Sequence, residues 1–338
     1  MIEFDRLPAS GIGSWPGEDV GEAVRMIFAE VPDLPYLPEL PARGAAAGMI
    51  GRACAQLVGM SVDLQPAGWR LTDAPGIDAR RARSLFRADL DALEEHAQGW
   101  TGPVKLAVTG PWTLAATVER PRGDLVLADH GARRDLAESL AEGLTGLVAE
   151  LRRRLPDVGW LVQLDEPSLP GVLAGSLPTA SGFSRHRAVE RNEAIETLRT
   201  LRGALEDAGA DTAVHCCAGS VEQPVPFELL RTAGFRTLLV DLGRLRTADW
   251  DQVAELLEDG GRLGAGVLRV EEAGSLGPDR AADRVLTPLR RLGLDPDHAR
   301  RLVITPCCGL AGATPADAVR AHRVLRRAAA IVEEQLAE

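Results

Sequence analysis

Lysine is all but missing from this chain: of its 38 basic residues, Lys105 alone is not an arginine. Positive charge as a whole is outweighed, since 49 Asp and Glu leave a formal net charge of −11 over 338 residues. That balance argues against nucleic acid or an anionic membrane surface as the main partner, because both select for basic patches. No uninterrupted apolar run approaches the roughly 18 residues a membrane span needs. The opening MIEFDRLPAS has neither a basic nor an apolar export region, so a cytoplasmic protein is expected. What remains is an ordinary globular composition, 45% hydrophobic and 26% charged, long enough for one large domain or two small ones.

Cysteine is sparse and odd in number. Cys54 stands alone, and the other four form the adjacent pairs Cys216–Cys217 and Cys307–Cys308. Adjacent cysteines bridge each other only through a strained peptide, and an odd count without an export signal is a poor disulfide framework. Metal binding or thiol chemistry is the better expectation.

Short β-branched or apolar runs alternate with Ala/Leu/Arg/Glu stretches at helical spacing. The candidate strands are SGIGSW near residue 12, LPYLPEL at 34–40, and the runs 104–110, 160–167, 212–217, 237–242, 262–270 and 301–308. Helical patterns lie between them, one ending before Pro156 and another with Gly209 as C-cap. The last is a long amphipathic helix with Thr314 as N-cap and Pro315 at its first position. This order implies a parallel sheet with helical crossovers. Eight such strands make an α/β fold of the (β/α)8 TIM barrel type, a single domain over 1–338 with its excess length in loops such as 169–187. A doubly wound open sheet is the competing fold, but its dinucleotide fingerprint is missing: GIGSWPG lacks the third glycine.

Polar residues gather where the strands end: Ser14, Asp165, Glu166, His215, Cys217, Asp241, Cys307 and Cys308. In a barrel those ends share one mouth, and an open parallel sheet also binds ligands there. His215 and Cys217, two apart, project to one side of their strand, and Cys216 to the covering helices. One imidazole, two thiolates and a carboxylate, His215, Cys217, Cys308 and Asp241, make a tetrahedral zinc set drawn from three strands, which suits a catalytic rather than a structural site. Against this stands the blander expectation that cysteines and a lone histidine are core packing. Two pairs at strand ends, one with histidine at spacing two, favour metal. Cys54 reads as helix packing, and the other histidines carry no functional expectation.

The strings GIGSWP, VTGPWTLA, QLDEPSL, HCC, LVDL, GAGVL and ITPCCGL occur in an order that resembles the catalytic C-terminal domain of cobalamin-independent methionine synthase, over roughly residues 10–310. The resemblance implies a zinc-dependent barrel that methylates the thiol of homocysteine. It puts the metal on His215, Cys217 and Cys308, with Asp241 where the family has a longer glutamate. It implies that Ile12, Gly13 and Ser14 hold the substrate carboxylate, that Asp165 meets its ammonium, and that Glu39 also contacts the amino acid. The chain departs from the family at the methyl donor. Thr117, with Trp112 nearby, stands where a folate-packing tryptophan is expected, and Glu271 where a proton-delivering histidine is expected. A corrinoid donor, methylcobalamin or a corrinoid protein, is therefore expected over methyltetrahydrofolate.

The expected chemistry is coherent. An ordinary thiol is only a few per cent thiolate at neutral pH, whereas a zinc-bound thiol is deprotonated outright. Two thiolates and a carboxylate offset the metal charge and leave a bound sulfur electron-rich, and the charges of Asp165 and Glu166 suit an ammonium. Two other functions fit the same residues: alkyl transfer to or from another thiol such as coenzyme M, and a non-catalytic zinc or thiol sensor.

Overall fold

Seven parallel strands form the central sheet of the computed structural model, which describes residues 2–337 apart from 75, 221 and 300. In chain order, β1 is Tyr36–Leu37, β2 Ser61–Gln65, β3 Gly68–Thr72, β4 Pro103–Thr109 and β5 Gly159–Asp165. Then follow β6 Asp211–His215, β7 Thr237–Asp241, β8 Arg262–Leu268 and β9 Leu302–Pro306. The sheet runs β1-β4-β5-β6-β7-β8-β9, so after β1 each strand pairs with its successor through an outer helical layer. Three of those helices, His130–Arg154, Arg191–Asp207 and Pro315–Leu336, match the amphipathic stretches read from sequence. Thr314 caps the last one, accepting from the Asp317 backbone N–H at 3.1 Å. Among the described residues no helix is long and apolar enough to cross a membrane.

The fold is thus α/β with a curled parallel sheet of TIM-barrel kind. The two remaining expected strands are fragmentary, for identifiable reasons. Prolines at 35 and 38 flank β1 and remove ladder donors, leaving two paired residues. Residues 8–15, broken by Gly11 and Gly13, form no regular strand. They still bridge the sheet's two edges: Ser10 N–H donates to the Ile304 carbonyl at 3.0 Å, and Trp15 N–H to the Glu39 carbonyl at 2.8 Å. An antiparallel hairpin, β2–β3, went unread in the sequence. Its alternation is short, and only Val62 and Trp69 are buried along it.

Inside the curl, Ile12, Leu34, Leu161, Ala213, Leu239 and Val303 form a small apolar core separate from the large sheet–helix core. It fills the space beneath the carboxyl ends of the strands. Lys105, pairing in register with Leu161, shares this interior although it is an ionisable residue with no solvent exposure.

Candidate active site

The carboxyl ends of β5 and β6, the start of the loop after β9 and the turn at 12–14 surround a cavity of about 270 Å3. Ile12, Gly13, Ser14, Glu39, Asp165, His215, Cys217 and Cys308 all line it, beside the apolar Pro41, Met49 and Pro167. The turn is held from two sides. Gly13 accepts from the Glu39 N–H at 3.0 Å, and Ser14 accepts from the Leu310 N–H at 2.9 Å. Gly309 must be glycine for this to close, since a β-carbon there would lie 1.9 Å from Ser14 Oγ.

A buried relay runs under the cavity. Lys105 Nζ donates to the Ile12 carbonyl and to Gln163 Oε1, each at 2.7 Å. Gln163 Nε2 donates to Asp165 Oδ1 at 2.7 Å and to the same Ile12 carbonyl at 3.0 Å. Asp165 Oδ1 also faces His215 Nδ1 at 2.9 Å. A carboxylate can only accept, so Nδ1 carries a proton, while Nε2, on the cavity side, has only a long contact of 3.4 Å to the Cys307 carbonyl. Burial pulls the Lys105 ammonium down to about 8, against the charges of Asp165 and Glu39, so it stays charged at neutral pH. Sequence reasoning gave Lys105 and Gln163 no role; the signal was a lone lysine inside the apolar strand VKLAV.

Glu39 is the second carboxylate at the cavity. It is 6% exposed, its Oε1 accepts no hydrogen bond, and Arg52 Nε stands 3.7 Å away. Burial pushes its carboxyl up to about 7, with Arg52 pulling against the shift. Arg52 is itself anchored on Asp89 at 2.6 Å, a buried pair that nothing in the sequence pattern marked.

The thiols of Cys217 and Cys308 lie 3.7 Å apart, from two different loops. The Cys217 thiol, the His215 charge and the Gly309 N–H lower the Cys308 thiol towards thiolate, whereas Cys217 is raised by donating to it. β6 ends at His215, two residues sooner than expected, and Cys216 packs with no exposure in the sheet–helix core. There burial raises its thiol to about 12.

Other expected residues lie elsewhere. Glu166 does not face the cavity: it accepts from the backbone N–H groups of Trp112 and Thr113 at 2.9 and 2.7 Å and from the Thr113 hydroxyl, capping the helix Pro111–Ala115. The idea that its charge meets a ligand ammonium is therefore corrected. A β-carbon on Gly110 would lie 2.3 Å from that carboxylate, which explains the glycine. Asp241 lines a second cavity, of about 560 Å3, with Cys307 and Arg269. Its Oδ2 lies 3.3 Å from Arg244 Nε and 3.6 Å from Arg269 Nη2, and the Cys307 thiol bonds to it. Glu271 is exposed on the short turn Val270–Glu272. Trp112 is 2% exposed, and Thr117 is exposed with its hydroxyl on the Thr113 carbonyl.

Residues 7–331 match the family described as cobalamin-independent synthase, catalytic domain. No curated protein matches this sequence. Among solved structures, a B12-independent methionine synthase from Shewanella sp. W3-18-1 in complex with selenomethionine superposes with a TM-score of 0.63 at 15% identity, covering 98% of this chain and 99% of the other. A β-galactosidase from Marinomonas ef1 (TM-score 0.49, 13% identity, 97% of this chain and 60% of that one) is too loosely superposed to bear on function. The same holds for a β-mannanase from Mytilus edulis (0.46, 12%, 95% and 92%).

Proposed function

Because this chain belongs to the family of the cobalamin-independent synthase catalytic domain, we propose that it transfers a methyl group to the thiol of homocysteine, giving methionine, with zinc held by His215, Cys217 and Cys308. The observation that carries this reading is the pair of thiols beside a carboxylate-braced imidazole, opening on a cavity edged by Ser14, Glu39 and Asp165. Among the described residues no three such side chains are drawn into a closed metal cage. The donor set nevertheless fits zinc. Two thiolates at about 2.3 Å from a tetrahedral centre are about 3.8 Å apart, and Cys217 and Cys308 stand at 3.7 Å. Carboxylate support of a ligand histidine through its other nitrogen is the usual arrangement around such metals.

When bound, zinc supplies a substrate sulfur held as thiolate near neutral pH. The protein's own residues orient the rest of the substrate. The turn at Ile12–Ser14 offers the carboxylate end its seat. Asp165 commits Oδ1 to the relay and leaves Oδ2, with Glu39 Oε1, which accepts no hydrogen bond, for the ammonium. Asp241 is committed to arginines and Cys307, so the fourth metal position is assigned to the substrate sulfur rather than to Asp241. The segment 8–15 is read as the eighth staff of a single barrel, since it joins both sheet edges.

For the donor we favour a corrinoid. Methyl loss from a folate nitrogen requires protonation of that nitrogen, and Glu271, at the family's proton-delivering position, is exposed outside the cavity. A methyl–cobalt bond needs no such proton. The test is metal analysis of the purified protein together with homocysteine methylation from methylcobalamin and methyltetrahydrofolate in parallel. Zinc at one per chain and faster methionine formation from methylcobalamin are expected. No zinc and no methionine from either donor would overturn the reading, and turnover with folate alone would overturn the donor assignment.

A further inference from the structure

The single lysine has no contact with the cavity, yet everything polar beneath the cavity hangs on it. We propose that Lys105 is a positioning residue, anchoring the Gln163–Asp165–His215 relay and the Ile12–Ser14 turn to one point so that His215 Nε2 and the substrate seat keep a fixed relation; this rests on the reading that His215 binds the metal. An ammonium has donors only, so Gln163 must turn its oxygen to Nζ and its amide N–H groups to Asp165 and Ile12. Asp165 is then an acceptor at Oδ1 and His215 a donor at Nδ1. The Ile12 carbonyl takes bonds from both Lys105 and Gln163, which ties the turn to the same anchor. All four side chains are at most 6% exposed, so water does not replace a lost partner. An arginine fork in this strand would not fit the two acceptors converging on one nitrogen, which accounts for a lysine in a chain that otherwise uses arginine.

The test compares Lys105→Met, Gln163→Leu and the double variant, each checked for folding by circular dichroism. Zinc affinity is read by chelator competition with the metal alone, and the His215 ring tautomer by 15N NMR of the metal-free protein at a pH where the ring is neutral. Each single variant should weaken zinc about 10- to 100-fold, as loss of ligand support does, and should turn a single Nδ1–H tautomer into a mixture. If Lys105 acts through Gln163, the double variant is no worse than Gln163→Leu; losses that multiply would overturn the proposal. A folded Lys105→Met with the wild-type tautomer and affinity would also overturn it. Should Lys105→Met fail to fold, Gln163→Leu leaves the ammonium in place and cuts the relay, and unchanged values there refute the proposal. A wild-type protein that binds no zinc refutes the metal reading, while the tautomer still decides the role of Lys105.

Discussion

His322 gives the sharpest stability test. Its ring is fully buried on the helix Pro315–Leu336, with Nδ1 2.9 Å from the Ala318 carbonyl and Nε2 3.1 Å from the hydroxyl of Tyr36, the chain's one tyrosine. The carbonyl requires a proton on Nδ1, so Nε2 accepts from the phenol and the ring is neutral. Burial holds its pKa down at about 4, below the ordinary 6.5. A depressed histidine means that the unfolded chain binds the proton first as pH falls. Stability is therefore full above about pH 6.5 and declines by about 1.4 kcal/mol per pH unit until the folded ring also protonates near pH 4. Integrated between pH 7 and 4.5, this one ring removes about 2.5 kcal/mol. Urea unfolding of wild type and His322→Gln at both pH values isolates it, because the carboxylates common to the two proteins cancel in the difference. The variant should be less stable at pH 7, and the gap should shrink or reverse by roughly that amount at pH 4.5. A gap independent of pH would refute the buried neutral ring.

Asp165→Asn should weaken homocysteine by roughly one to two decades, the worth of a charge-assisted bond, while a thiol lacking the ammonium loses far less in a direct-binding comparison; equal losses would make Asp165 purely a brace for His215. Cys216→Val should keep zinc by metal analysis, since that thiol packs in the sheet–helix core, whereas Cys217→Ala should lose it; the opposite result would mean that the wrong thiol has been assigned to the site. Glu166→Ala should cost about 1–3 kcal/mol in chemical unfolding, because two buried backbone donors lose their acceptor; an unchanged midpoint would show that the cap is dispensable.

Much of the architecture was legible because each parallel strand carries its own apolar run, bounded by helical spacing. Six of these became regular strands whose ends fall within a residue or two of those expected. The strands that fell short are those interrupted by proline or glycine, where side-chain pattern persists but backbone pairing cannot. The residues around the cavity were legible through their positions after strands. Their partners were not: no local pattern says that Gln163 faces Lys105, 58 residues apart in sequence, or that Glu166 turns away from its neighbour Asp165 to cap a helix. Asp241 shows the limit of position alone, since it ends its strand as expected and is then claimed by two arginines and a thiol from loops that local spacing does not join.

The bridge from residues 8–15 to β9 has a consequence for how the protein is made. Ser10 and Ile304 pair across 294 positions of chain, and Glu30 meets Arg323 across 293. At about 5–20 residues per second, the first segment waits on the order of tens of seconds on the ribosome before its partner strand exists. Throughout that interval the unpaired edge of residues 8–15 and the unsealed interior, with Lys105 in it, face solvent or chaperone. The cavity, walled by both Ser14 and Cys308, can consequently close only after Cys308 has been synthesised. A chain stalled before Cys308 holds most of the sheet but leaves one wall of the cavity open.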